Sequence, residues 1–222
     1  MSASPHLSAR PALRPALGIA PPSGLFRIEV GAERPVWARV GRDVDRPLPF
    51  ALMLHGAGGR PEDALRLLEP FAAESGVAVV APASTDTTWD AVLHRPGPDL
   101  AIIDRALSWI FERYAIDGRR LAVGGFSDGA SYALSLGVDN GDLFSHVLAL
   151  SPGFVAPTSP RGGARFFISH GTRDTVLPIV HCSRRIVPTL RKAGRPVEYH
   201  EFDGGHEIPE RIARLAVDFL MS

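Results

Sequence analysis

Leu121-Ala-Val-Gly-Gly-Phe-Ser-Asp-Gly-Ala130 is an apolar run that passes through Gly125-Phe126-Ser127-Asp128-Gly129 into a segment of mostly small residues. The expected order is strand, sharp turn, helix, with Ser127 at the apex. Glycines two residues either side of a serine are what such a turn demands, because side chains there would collide with the neighbouring strand and helix. The position also places free backbone N–H groups and the positive end of a helix dipole beside Ser127, where developing negative charge would be stabilised. A short glycine-rich turn of this kind also arises by chance, so its meaning depends on what surrounds it.

Working outward, short β-branched or apolar runs alternate with longer amphipathic ones. Strands are expected at Phe26–Val30, Val36–Val40, Phe50–His55, Val77–Ala81, Leu121–Phe126, Val147–Leu150, Arg165–His170 and Val197–Phe202. Helices are expected at Glu62–Ser75, Asp99–Tyr114, Asp128–Gly137, Ile179–Ala193 and Pro209–Met221. This alternation is the pattern of an α/β domain, a mostly parallel twisted sheet of about eight strands with helices on both faces. The first two strands suit an antiparallel hairpin, and functional loops are expected at the carboxyl ends of the parallel strands.

Two further loops fall at that edge. Arg165–His170 runs into Gly171-Thr172-Arg173-Asp174, and Val197–Phe202 runs into Asp203-Gly204-Gly205-His206. A serine hydroxyl is a weak nucleophile at neutral pH, so a histidine must take its proton and a carboxylate must orient that histidine. On a serine elbow of this type the chain order is serine, acid, histidine. Of the eight histidines, His206 satisfies both order and loop position. His6 lies near the N-terminus, His55 and His170 at strand ends, His200 within a strand, and His94, His146 and His181 outside the expected order or loop. Asp174 is the first candidate acid. Asp203, only three residues before His206, is the second. A fourth loop, Phe50-Ala-Leu-Met-Leu-His55 followed by Gly56-Ala-Gly-Gly59, lets backbone N–H groups approach a substrate oxygen, and we assign oxyanion donors to the backbones of Ala57 and Asp128. A phosphate-binding loop would need Gly-Lys-Ser/Thr or dinucleotide spacing, and neither is present.

Composition limits the partners. The 222 residues are 45% hydrophobic, enough for one core, and Lys+Arg and Asp+Glu both number 24, which gives no charge-based reason to bind nucleic acid or an anionic membrane. The expected partner is a small molecule. No apolar run approaches the ~20 residues of a membrane span. The single Cys182 cannot form an internal disulfide and reads as a structural thiol, compatible with the reducing cytoplasm where we expect the protein. The proline-broken, basic stretch 1–22 is expected to be a disordered arm preceding one domain over 23–222, and the expected assembly is a monomer or homodimer.

Taken in order, LMLHGAGG, GGFSDGAS, ALSPGF, HGTRD and GGHEIP resemble the phospholipase/carboxylesterase family of α/β-hydrolases, which includes acyl-protein thioesterases, and are similar to feruloyl-esterase and polyhydroxybutyrate-depolymerase-like esterases. The likeness runs from about Phe50 to the C-terminus. It implies an α/β-hydrolase fold without a large lid, a serine carboxylesterase using Ser127, Asp174 and His206, and no cofactor or metal. Acyl-protein thioesterases usually carry Gln after the nucleophile and Leu after His-Gly, where this chain has Asp128 and Ala57, so a small ester is the expected substrate. An acyl thioester or lysophospholipid, or a catalytically silent ligand-binding role, is the alternative. Trp89, Phe154 and Leu177, in loops at the same edge, are expected to line the substrate site.

Overall fold

The computed structural model describes residues 4–12, 21–31, 33–90, 92 and 97–222. His94 and residues 1–3 and 13–20 of the expected arm lie outside the described residues. Eight strands, β1 (Gly24–Ile28), β2 (Val36–Val40), β3 (Leu48–Leu54), β4 (Ala78–Pro82), β5 (Ile116–Phe126), β6 (His146–Leu150), β7 (Arg165–Gly171) and β8 (Val197–Phe202), form one sheet in the order β1-β2-β4-β3-β5-β6-β7-β8. β1 and β2 form the expected antiparallel hairpin, and β2 joins β4 antiparallel. All later pairings are parallel, so the carboxyl ends of β3, β5, β6 and β7 open at one edge.

Side chains on a strand alternate between faces, and here both faces are covered. Phe50, Leu52 and Leu54 of β3 and Leu121 and Val123 of β5 pack with helices α3 (Asp99–Arg113), α4 (Asp128–Asp139) and α5 (Ser183–Lys192). The intervening Ala51, Met53 and Ala122 pack with α1 (Pro61–Arg66), α2 (Phe71–Glu74) and α6 (Glu210–Met221). This is why the central strands read as continuous apolar runs.

β1 lies two residues earlier than expected, β3 begins two and β5 five residues earlier, and three larger differences concern α1 with α2, α5 and the arm. The single helix over Glu62–Ser75 is divided into α1 and α2, because Pro70 has no N–H to donate and its ring crowds the carbonyl four residues back. The helix expected from Ile179 begins at Ser183, since Cys182 has non-helical angles (φ −111°, ψ −106°). The expected arm is ordered over residues 4–12. Leu7 is 2% exposed, its N–H donates to Asn140 Oδ1 (2.8 Å), and the N–H groups of Ser8 and Ala9 donate to Asp104 Oδ1 (2.8 and 2.9 Å). Composition misses this because the partners lie on α3 and at the end of α4, about a hundred residues away in sequence.

At the serine turn the backbones meet closely. A Cβ on Gly125 would stand 2.6 Å from Leu54 O, and one on Gly129 would stand 2.2 Å from Leu54 O and 2.5 Å from His55 O. Backbone carbonyls of a buried central strand cannot swing aside as a side-chain tip can. Gly129→Ala is therefore expected to cost about 2–3 kcal/mol, an overpacking penalty that lowers Tm by roughly 4–12 °C in a domain of this size. Thermal unfolding followed by circular dichroism measures it, and an unchanged Tm would contradict the close approach.

Candidate active site

Ser127 sits between β5 and α4 with φ 57° and ψ −120°, a backbone conformation that a residue with a Cβ rarely adopts. The turn is held from both sides: Ser127 N–H donates to Leu150 O (3.0 Å), and Ser127 O accepts from the N–H and Oγ–H of Ser131 (3.0 and 3.1 Å). Ser127 Oγ–H donates to His206 Nε2 (2.9 Å), and His206 Nδ1–H donates to Asp174 Oδ2 (2.6 Å). Since a carboxylate only accepts, the second bond fixes the tautomer and leaves Nε2 free to take a proton. Three loops at the ends of β5, β7 and β8 thus bring together the three side chains singled out in the sequence. Asp203 is elsewhere, on the surface in an ion pair with Arg173.

The Asp174 side chain is fully buried, while that of His206 is slightly exposed. Burial pushes the Asp174 carboxyl up. The His206 hydrogen bond, the Leu177 N–H, the nearby His206 charge and the Val176 N–H outweigh it and hold the group below the ordinary carboxylate value. Phe126 packs on the His206 ring, with centroids 4.6 Å apart. That contact limits how far the imidazole can tilt.

The loop after β3 lies against the serine: a Cβ on Gly56 would stand 3.3 Å from Ser127 Cβ. Neither Ala57 N–H nor Asp128 N–H has a hydrogen-bond partner among the described residues, whereas Gly58 N–H donates to Thr87 O (2.6 Å) and Gly59 N–H to Gly56 O (3.0 Å). His55 orients the first of these free amides. Its Nε2 accepts from Ser84 N–H (3.1 Å), so Nδ1 carries the proton and donates to Gly56 O (2.7 Å). The Gly56 carbonyl and the Ala57 N–H belong to one planar trans peptide and point in opposite directions, so anchoring the carbonyl aims the N–H.

The expected substrate contacts divide. Trp89 is a correction: it is 0% exposed, donates its indole N–H to His55 O (2.9 Å), and packs against His55 and Tyr132 with centroids 4.9 and 5.6 Å away. Its ring braces the His55 loop from behind and cannot stack on a substrate. Phe154 and Leu177 are half-buried. The Phe154 and Gly153 N–H groups lie on Ser131 Oγ (3.4 and 2.9 Å), and a Cβ on Gly153 would touch Leu177 Cδ2 at 3.4 Å, so the two loops meet over the first turn of α4. Beside them Val176 is 64% exposed. Sequence reasoning passed over His55, Ser131 and Thr88, whose hydroxyl donates to Asp128 Oδ2 (2.8 Å). Ser131 carried a signal, its four-residue spacing from Ser127 on one helix. Thr88 and Trp89 carried none, since their partners are 40 and 34 residues away. Cys182 is buried, and burial pushes its thiol pKa up, as a structural thiol requires. A cavity of about 330 Å³ lies between α1 and α6, lined by Asp63, Arg66, Leu67, Glu69 and Ile208 among others. It contains none of the hydrogen-bonded side chains above, and the chemistry points to Ser127 and not to this hollow.

A mostly parallel eight-stranded sheet with helices on both faces, a serine on the turn after β5 and no large lid among the described residues define an α/β-hydrolase. The chain belongs to the phospholipase/carboxylesterase family, whose profile matches residues 101–222. That segment holds Ser127, Asp174 and His206 but not the His55-Gly56 loop, so the match begins later than the likeness read from about Phe50. The structure is similar to a carboxylesterase from Bacillus cereus (20% identity, 86% of this chain and 95% of that one, TM-score 0.67). It is also similar to a phospholipase/carboxylesterase from Dyadobacter fermentans (20%, 92% and 100%, 0.68). A third likeness is to an S-formylglutathione hydrolase from Staphylococcus aureus (16%, 92% and 100%, 0.70). At these identities the likeness establishes the fold. A search of curated protein sequences finds no significant match. Among the described residues no helix is long and apolar enough to cross a membrane.

Burial also pushes the His55 pKa below its ordinary 6.5, against the raising effect of the Gly56 hydrogen bond. The sign of the consequence follows from proton binding. Below about pH 6.5 the unfolded chain protonates this histidine while the folded chain does not, so stability falls as pH drops through that window. His146, pushed down to about 4 by burial and then by Arg165, acts in the same direction. Tm is expected to fall between about pH 7.5 and pH 5, and less steeply in His55→Gln, which removes one titrating group. Parallel Tm curves for the two proteins would show that His55 protonates freely in the folded state.

Proposed function

We propose that the protein is a serine carboxylesterase that hydrolyses small or medium carboxylic esters through an acyl-enzyme. The observation carrying this reading is the unbroken chain from Ser127 Oγ through the His206 ring to Asp174 Oδ2. His206 Nε2 takes the hydroxyl proton as Oγ attacks the ester carbonyl, and Asp174 stabilises the imidazolium. The carbonyl oxygen becomes an oxyanion facing the Ala57 and Asp128 N–H groups, an interaction for which each donor typically contributes about 100- to 1000-fold in rate. Collapse returns the proton from Nε2 to the departing alcohol and leaves the acyl group on Ser127. Water then attacks with the same proton relay, releasing the acid. No metal or cofactor enters these steps, because each side chain is committed to its neighbour.

Substrate size follows from the surroundings. Half-buried Phe154 and Leu177 supply a short apolar wall beside the serine, and Val176 beyond them faces water. Each methylene left in solvent forgoes about 0.8 kcal/mol of burial. Short acyl groups, acetyl to about hexanoyl, therefore suit the site better than palmitoyl, and no activation at a lipid–water surface is expected. Trp89, being buried, does not stack on an aromatic ester.

Ser127→Ala is expected to abolish nearly all hydrolysis of p-nitrophenyl acetate and all labelling by a fluorophosphonate while leaving Tm little changed. Comparable turnover in the variant would sink the mechanism, and a folded wild type that neither labels nor turns over would point to the silent, ligand-binding alternative. Across p-nitrophenyl esters of increasing chain length, kcat/KM is expected to peak at short chains. A peak beyond about ten carbons, where burial of the added methylenes would have to outweigh their exposure, would move the assignment toward a long-chain thioesterase or lysophospholipase.

A further inference from the structure

A second histidine touches the acid. His170, in β7, is 0% exposed and takes no part in the proton relay. Its Nε2 lies 2.8 Å from Leu177 O, which can only accept, so Nε2 carries the proton; Nδ1 then accepts from Ser183 Oγ–H (2.7 Å), and Ser183 is itself fully buried at the start of α5. The same nitrogen lies 3.3 Å from Asp174 Oδ2, the oxygen that accepts from His206, so the N–H that donates to Leu177 O also lays its positive end beside the carboxylate. The other oxygen, Oδ1, accepts from the N–H groups of Val176 and Leu177 (2.9 and 2.8 Å). The turn 174–177 is therefore held at its N–H groups by Asp174 and at the Leu177 carbonyl by His170.

Resting on the reading of Ser127, His206 and Asp174 as the triad, we propose that His170 is a positioning residue for this reaction, using a single Nε2–H locked in place by Ser183 to hold the Asp174 carboxylate and the Leu177 carbonyl in one register. Two consequences follow from that position. The N–H dipole partly offsets the negative charge on Oδ2, so Asp174 holds the imidazolium less tightly than a bare carboxylate would. The Leu177 side chain, which meets Gly153 beside the serine, is kept at a constant offset from the acid.

The ring serves this purpose only while neutral, and burial pushes it toward that form, with the Leu177 hydrogen bond and the Asp174 charge opposing. The titratable groups around it are Asp174 and His206, Glu201 opposite it on β8, and Cys182, which lies near Asp174 with Arg185 beside it. Glu201 is held ionised chiefly by its hydrogen bond from Arg184.

The test compares His170→Phe, which keeps an apolar ring but has no N–H, with His170→Gln, whose amide N–H reaches about where Nε2 stands. In His170→Phe, kcat on a short ester is expected to fall about 10- to 100-fold, the cost of a misplaced relay. The acidic limb of kcat/KM is expected to move up by on the order of half a pH unit, because Asp174 loses the N–H dipole beside it. His170→Gln is expected to return both toward wild type. The proton NMR signal of the His206–Asp174 hydrogen bond, which needs no substrate, is expected to move in the Phe variant and return in the Gln variant. If His170 only fills space, Phe leaves limb and signal in place, and that result overturns the proposal. Should His170→Phe fail to fold, His170→Asn decides: its shorter amide ends about where Nδ1 stands and does not reach Asp174 or Leu177 O, so the limb and signal shift in the same direction, and no shift overturns the proposal. A wild type inactive on every ester would sink the esterase reading, while the substrate-free NMR signal would still decide the role of His170.

Discussion

The carbonyls of Leu54 and His55, at the end of β3, come so near the start of α4 that no Cβ fits at Gly125 or Gly129. That approach forces Ser127 into its positive-φ turn, presents Oγ at the sheet edge and aims the first N–H groups of α4 outward. It also sets the loop after β3 beside the serine, since Gly56 follows directly on His55. Ser127 and the His55–Gly58 loop therefore share one backbone contact. Loosening it would move both at once.

Around that contact the polar groups are buried and largely partnered, which lets them work as fixed dipoles. His55 and His170 each have an acceptor nitrogen fixed by a donor and an N–H fixed on a carbonyl, and burial keeps both below the usual histidine pKa. A neutral imidazole with a defined tautomer holds a peptide in one orientation without bringing in a charge that needs compensation. His206 differs in being slightly exposed, with an ionised carboxylate on one side and a hydroxyl on the other. Three histidines at one edge thus take two kinds of role, set by their acceptors and not by the residue type.

The loop 84–90 shows how much of the site's support lies outside the recognised motifs. Ser84 N–H, Thr87 O and the Trp89 indole reach the His55–Gly58 stretch, while Thr88 holds the Asp128 carboxylate. Two segments that carry the free amides are thereby fastened to a third. A buried tryptophan in such a place packs and donates one hydrogen bond, and gives rigidity where a surface tryptophan would have given recognition.

The strand positions, the serine turn and the three side chains that meet at Ser127, Asp174 and His206 were legible from residue types alone. Continuous apolar runs mark strands buried on both faces, glycine at Gly125 and Gly129 marks a steric demand of the local backbone, and the loops carrying Asp174 and His206 follow from strand ends and chain order. These are local properties, encoded within a few residues. What the tertiary structure alone decided depends on contacts between distant segments. Pro70 divides a helix that amphipathic spacing reads as one, residues 4–12 lie ordered on α3 and α4, Trp89 turns inward, and His170 meets Asp174 through a turn whose direction no spacing reveals. A side chain's exposure and hydrogen-bond partner are set by whatever the fold brings opposite it, and a linear pattern does not contain that neighbour.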